Sequence, residues 1–160
     1  MKEVKIESIL YVFNSIEELP DTIHSLMKQA SNARQKAYAP YSKFSVGAAL
    51  LLENGEIITG SNQENASYPS GLCAERTAIY YAGAQYPNVK ILKMAITAGS
   101  QNKITNSPIP PCGACRQAIA EYEVNQETPI EIYFMGETGK VVKSNSLANL
   151  LPLVFDKTVL

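Results

Sequence analysis

Phe44-Ser-Val-Gly-Ala-Ala-Leu-Leu-Leu52, then Asn54-Gly55, then Glu56-Ile-Ile-Thr-Gly-Ser-Asn62 and, after a loop, Cys73-Ala-Glu-Arg-Thr-Ala-Ile-Tyr-Tyr-Ala-Gly83 decide the fold. The first run is apolar and short, which reads as a buried strand. Asn-Gly is a strong type I′ hairpin signal, so Glu56 to Asn62 is the returning strand. Residues 63–72 carry Asn, Ser, Pro and Gly and read as a loop. Good helix formers then run from Cys73 to about Gly83. A hairpin that feeds a helix is the start of an α/β arrangement.

Upstream of the hairpin, residues 19–37 change period: Leu19, Ile23, Leu26, Met27, Ala30, Ala33 and Ala37 fall on one helical face. Pro20 suits the first turn, and the small inner residues allow a close approach to a sheet. Ala39-Pro40 ends the helix, because a residue before proline is pushed away from helical dihedrals. Residues 4–13 (VKIESILYVF) read as a strand or extended arm. Downstream, Lys90 to Ala98 reads as a strand, and 99–111 is a polar, then proline-rich loop that delivers Cys112 to a helix ending near Tyr122. Pro129 to Met135 is a strand, Gly136 to Gly139 a turn, and Lys140 to Lys143 pairs back. Leu147 to Phe155 is a short apolar terminal helix or coil. This order predicts one α/β domain over residues 1–160, three layers α/β/α with a mixed sheet of about five strands.

Composition excludes several classes. The chain of 160 residues is 46% apolar and 18% charged, enough for a packed core without staples. A domain of this length buries roughly 70% of its unfolded surface. Net charge is −1 with no Lys or Arg run, which argues against a nucleic-acid partner. The longest apolar run, Val46 to Leu52, is too short to span a membrane, and no signal-peptide core follows Met1-Lys2-Glu3. An odd number of cysteines suggests a reducing compartment with thiols kept free, so a cytoplasmic protein is expected.

All three cysteines lie in two short segments, Cys73-Ala74-Glu75-Arg76 and Pro111-Cys112-Gly113-Ala114-Cys115-Arg116. Thiolates at such spacing favour Zn²⁺, and three protein ligands leave the open position of a catalytic site. Both segments open helices, whose N-termini lower thiol pKa values. Three thiolates on Zn²⁺ leave a formal −1 charge, and Arg76, three residues after Cys73, is placed to compensate it from outside the ligand shell. Glu75 is a carboxylate positioned to move protons beside the metal. Rival readings exist. Cys-Gly-Ala-Cys could be a dithiol redox motif, but that leaves Cys73 and Glu75 without a task. A structural zinc knuckle needs a fourth ligand, and the lone histidine, His24, falls with Lys28 and Ser31 on the polar face of the first helix. Plain buried thiols are a third reading, against which stands the packing of all three into two helix starts.

These segments resemble the zinc-dependent cytidine deaminases, in the small homotetrameric branch that uses three cysteines. Two further stretches are similar to family segments: Tyr38-Ala-Pro-Tyr-Ser-Lys-Phe-Ser-Val-Gly-Ala-Ala-Leu50 and Asn62-Gln-Glu-Asn-Ala-Ser-Tyr68. The likeness covers roughly residues 19–155; residues 1–15 form an N-terminal extension, and the 84–111 connection looks long. The resemblance implies Cys73, Cys112 and Cys115 as zinc ligands and Glu75 as proton shuttle. It implies Phe44 against the pyrimidine ring, Asn62 and Glu64 on the ribose 3′-hydroxyl, and backbone groups of Ala74 and near Cys112 on the base amide. The implied reaction is attack of zinc-activated water on C4, converting cytidine and deoxycytidine to uridine and deoxyuridine plus ammonia in pyrimidine salvage. No phosphate site is readable, so the expected partner is a free nucleoside. The resemblance also implies a homotetramer, with Phe155 of the apolar tail Leu150–Phe155 near a neighbour's pocket. Another aminopyrimidine nucleoside, as in blasticidin S deamination, is the alternative substrate; a non-catalytic zinc or dithiol protein is the alternative class.

Overall fold

Glycine and alanine bring the layers together. The computed structural model describes all 160 residues. Its strands are β1 (Tyr11–Phe13), β2 (Phe44–Leu52), β3 (Ile57–Ser61), β4 (Ile91–Ser100), β5 (Glu131–Met135) and β6 (Val141–Ser144). Its helices are α1 (Asp21–Arg34), α2 (Ala74–Gln85) and α3 (Gly113–Gln126). The strands form one sheet in the order β1-β6-β5-β4-β2-β3, in which only β4 and β5 pair in parallel. On one face α1 packs Ile23, Leu26, Met27 and Ala30 onto Ala49, Ala95 and Tyr133. On the other, Ala78, Ile79 and Ile119 of α2 and α3 meet Leu50, Met94, Ile96 and Ile132. Alternate residues of β2 feed the two cores, as a period of two requires. Each such Ile or Leu side chain removed from water contributes about 1.5–3 kcal/mol. The three-layer α/β/α expectation holds.

A Cβ on Gly47 would stand 2.1 Å from the carbonyl oxygen of Ala30 and 2.3 Å from the backbone nitrogen of Arg34. One on Gly60 would stand 2.6 Å from the carbonyl oxygen of Ala74. Only glycine lets α1 lie on β2, and the start of α2 on β3, at this range.

The sheet has six strands, one more than expected. The extra one is β1, pairing antiparallel with β6 from Tyr11↔Lys143 to Phe13↔Val141. Most of the expected 4–13 strand is unpaired: pairing covers Val141 to Lys143 of β6, and upstream the Ile9 N–H donates instead to Asn149 Oδ1 at 3.2 Å. The hairpin turn also differs from type I′. Gly55 has φ +88 while Asn54 is not left-handed, and Leu52 donates its N–H to Glu56 at 3.0 Å. The loop is thus three residues, Glu53 to Gly55, with glycine at the left-handed position. The end of the chain is coil with short 3₁₀ turns at Leu147–Asn149 and Lys157–Val159. No helix is long and apolar enough to cross a membrane.

One consequence of the topology places the site. β3 and β4 both run antiparallel to β2, so they point the same way. The helices that follow them, α2 and α3, therefore begin at the same edge of the sheet. Cys73 and Cys112 occupy those two beginnings.

Candidate active site and metal centre

Cys73 is the N-cap residue of α2, Cys112 that of α3, and Cys115 lies in the first turn of α3. None of the caps uses its side chain to hold the helix, which leaves the sulfurs free to face one another. The Sγ atoms of Cys73 and Cys112 are 3.9 Å apart, those of Cys112 and Cys115 3.5 Å, and all three lie within 4.8 Å. Tetrahedral zinc with Zn–S near 2.3 Å requires sulfurs about 3.8 Å apart. Soft donors at that separation fit zinc, with one ligand position left over.

The charge around the sulfurs is unequal. A hydrogen bond from the Cys115 thiol, and then contact with Arg76, pull the Cys73 thiol down to about 5 against the opposing effect of burial. The same hydrogen bond to Cys73, followed by burial, pushes the Cys115 thiol up. Arg76 Nη2 is 3.9 Å from the Cys73 sulfur, while its Nε is buried without a hydrogen-bond partner. Glu75 is only 4% exposed. Burial, more than the nearby charge of Cys73, raises its carboxyl above the usual range. A carboxyl so placed holds a proton more readily than an exposed one and can pass it on.

These groups face a cavity of about 560 Å³ whose walls include Phe44, Val46, Asn62, Glu64 and Ile96. Cys73 and Cys112 reach it, and Cys115 lies fully buried behind them. Asn62 and Glu64 are both in the wall, and both already bond to this chain's own backbone. The Asn62 amide accepts from Val46 N–H at 2.8 Å and donates to the Phe44 carbonyl at 2.9 Å. It thereby fixes the strand on either side of Ser45, directly after the Phe44 ring. Glu64 accepts from the N–H of Tyr41 at 2.9 Å, from that of Ser42 at 3.2 Å and from the Ser42 hydroxyl. The hydroxyl bond foremost lowers its pKa. Ala74 is fully buried, with its carbonyl against Gly60, and is not part of the cavity wall.

Sequence reasoning assigned no role to Tyr41, Ser42 and Tyr68, which also line the cavity. The rings of Tyr41 and Tyr68 approach to 6.1 Å at 54° and form its rim. Their positions inside the two quoted family-like stretches were the available signal.

Buried carboxyl, clustered thiolates and an apolar wall together define a hydrolytic metal site on an α/β/α scaffold. Residues 20–128 match the cytidine and deoxycytidylate deaminase zinc-binding region. The chain is 41% identical over 130 residues to a cytidine deaminase of Halalkalibacterium halodurans, covering 81% of this chain and 91% of that one. It is 42% identical over 136 residues to one of Sporosarcina psychrophila, covering 84% and 92%. A crystal structure of cytidine deaminase from Burkholderia pseudomallei superposes with a TM-score of 0.71 at 41% identity, covering 82% of this chain and 98% of that chain. The chain belongs to the cytidine and deoxycytidylate deaminase family, and zinc is the metal its matched region binds.

Proposed function

We propose that this chain hydrolytically deaminates cytidine and deoxycytidine, releasing ammonia, with zinc held by Cys73, Cys112 and Cys115. The observation that carries the reading is Glu75, buried in the same cavity as the clustered sulfurs. Zinc in a three-ligand site acts as a Lewis acid and makes water nucleophilic near neutral pH. Glu75 takes a proton from the attacking water and passes it to ring N3. It then takes the proton of the hydroxyl added at C4 and delivers it to the amine, which leaves as ammonia while the C4 carbonyl forms. Arg76 offsets the negative charge of three thiolates beside Cys73. The Phe44 ring supplies an apolar face for the pyrimidine. Asn62 and Glu64 are the groups proposed for the ribose 3′-hydroxyl, and each keeps spare hydrogen-bonding capacity beyond its backbone bonds. Backbone groups near Cys112, and the Ala74 peptide where it joins the cavity-lining Cys73 and Glu75, are proposed to hold the base amide.

The cavity wall holds Glu64 and Glu75 beside a single guanidinium, Arg76. That balance suits a free nucleoside better than a nucleotide. Ultraviolet absorbance on mixing purified protein with cytidine, deoxycytidine and dCMP tests this. Loss of the cytosine band is expected with both nucleosides and, at equal concentrations, at least about tenfold more slowly with dCMP, since an unpaired phosphate in a buried site is costly. Turnover of dCMP alone, or of none of the three, contradicts the reading.

A homotetramer in the cytoplasm completes the proposal. The tail leaves Leu153 79% and Phe155 61% exposed, and Tyr68 at the cavity rim is 75% exposed. Apolar side chains so open favour burial against further copies of the chain, with Phe155 near a neighbour's cavity. Sedimentation of the active protein is expected to give four chains; a fully active monomer at micromolar concentration contradicts it. Three free thiols suit a reducing compartment.

A further inference from the structure

Arg116 takes no part in the steps above, yet it makes two short bonds beside the sulfurs. It lies in the first turn of α3, half-buried, and its guanidinium faces two ways. Nε donates to the carbonyl of Pro111 at 2.8 Å, and Nη1 donates to the carbonyl of Leu150 at 3.0 Å. The first carbonyl belongs to the peptide that joins Pro111 to Cys112. The second heads the C-terminal tail, and α3 also holds the chain just before the tail and within it. Glu123 accepts from the N–H of Leu147 at 2.9 Å, and Gln117 Nε2 donates to the Phe155 carbonyl at 2.7 Å.

Among the three cysteines, Cys112 has the least support of its own. Cys115 is buried within the helix, and Cys73 has Arg76 near its sulfur. Cys112 is exposed, caps α3 without a side-chain bond to the helix, and its sulfur pairs with the other two thiols alone. On the helix side its carbonyl accepts the Arg116 N–H at 2.9 Å, and on the loop side its peptide is fixed by the Pro111 carbonyl in the grip of the Arg116 side chain. From this the geometry points to Arg116 as a positioning residue. It locks the Pro111–Cys112 peptide so that Cys112 stays in reach of the other sulfurs, and it does so fully only while the tail is docked. A planar fork can serve two carbonyls at once, which an ammonium cannot. The inference rests on the three cysteines being the zinc ligands.

Transfer of zinc from the loaded full-length protein to an excess of a colour-changing chelator reads this out without reference to turnover. Groups that orient metal ligands from outside typically change metal affinity about 10- to 100-fold. Arg116→Met is accordingly expected to release zinc at least about tenfold faster than wild type, a measure of that same loss. Arg116→Lys, which keeps the charge and one of the two bonds, should fall between them and carries the test if the methionine variant does not fold. Truncation after Asn149 should speed release as Arg116→Met does, and combining the two should add little more, the mark of a shared interaction. Ile119→Val, a core trim on the same helix, controls for plain destabilisation and should release zinc at the wild-type rate.

Wild-type release rates in both Arg116 variants overturn the positioning role, as does an equal acceleration in Ile119→Val. Fully multiplicative effects of Arg116→Met and the truncation overturn the link to the tail. A wild-type protein that binds no zinc fails earlier: it removes the ligand assignment itself, and this inference with it.

Discussion

Glu75→Gln is expected to keep its zinc and its fold while cytidine turnover collapses. Removing a general acid–base group typically costs about 10²- to 10⁴-fold in rate. Here one carboxyl serves several proton transfers in a cycle, so about 10⁴-fold or more is expected. The fold should tolerate the change, because glutamine is isosteric and a neutral amide at a buried position avoids the cost of burying charge. If Glu75 served only the helix start, its loss would cost at most about 1 kcal/mol of stability and spare the rate. Steady-state assay beside metal analysis separates these cases. A variant that keeps zinc and more than about a tenth of wild-type turnover, far outside the general acid–base range, contradicts the mechanism.

Cys112→Ala is expected to lose most of its zinc, all measurable turnover and part of its thermal stability. Two sulfurs would remain, on different helices, with no neighbouring histidine to replace the third: His24 is exposed on α1, across the sheet. Metal bound by the folded state alone stabilises it, and this site ties the start of α2 to the start of α3. Wild-type protein treated with chelator should melt at a lowered temperature, and Cys112→Ala should melt there with or without added zinc. Near-stoichiometric zinc in the purified variant contradicts the ligand assignment.

Much of this architecture was legible because local patterns agree with the global one. The face formed by Leu19, Ile23, Leu26, Met27, Ala30 and Ala33 is buried, while Ala37, expected on it, is half-buried beyond the end of α1 at Arg34; β2 spans the residues its apolar run suggested. The misreadings have local causes. Asn54-Gly55 carries the residues of a type I′ turn, but register closes through Leu52 and Glu56, making a longer loop. β1 stops short upstream, where Ile9 bonds to Asn149 instead of β6, which the alternation in residues 4–13 cannot report. α3 runs on past Tyr122 to Gln126, because Glu123 and Gln126 bond outward to the segments around Ile130 and Ile91. Burial of Arg34 was invisible for a related reason: its ion-pair partner at 3.2 Å, Glu137, is 103 residues away.

The site was more legible than the sheet, since its chemistry is concentrated in short motifs. The three cysteines declare soft ligands by type and spacing alone. That they meet depends on β3 and β4 pointing the same way, which only the strand order reveals. Asn62 and Glu64 show the opposite limit. Their positions were legible in the motif, but their bonds to residues 41–46 exist because the hairpin returns beside the start of β2.

The most direct measurement is cytidine turnover by metal-free protein as zinc is added back in known steps. Turnover should start near zero, rise in proportion to zinc, and break sharply at one zinc per chain. Full turnover before any zinc is added, or a break at a ratio other than one, would contradict a three-cysteine zinc site as the seat of the reaction.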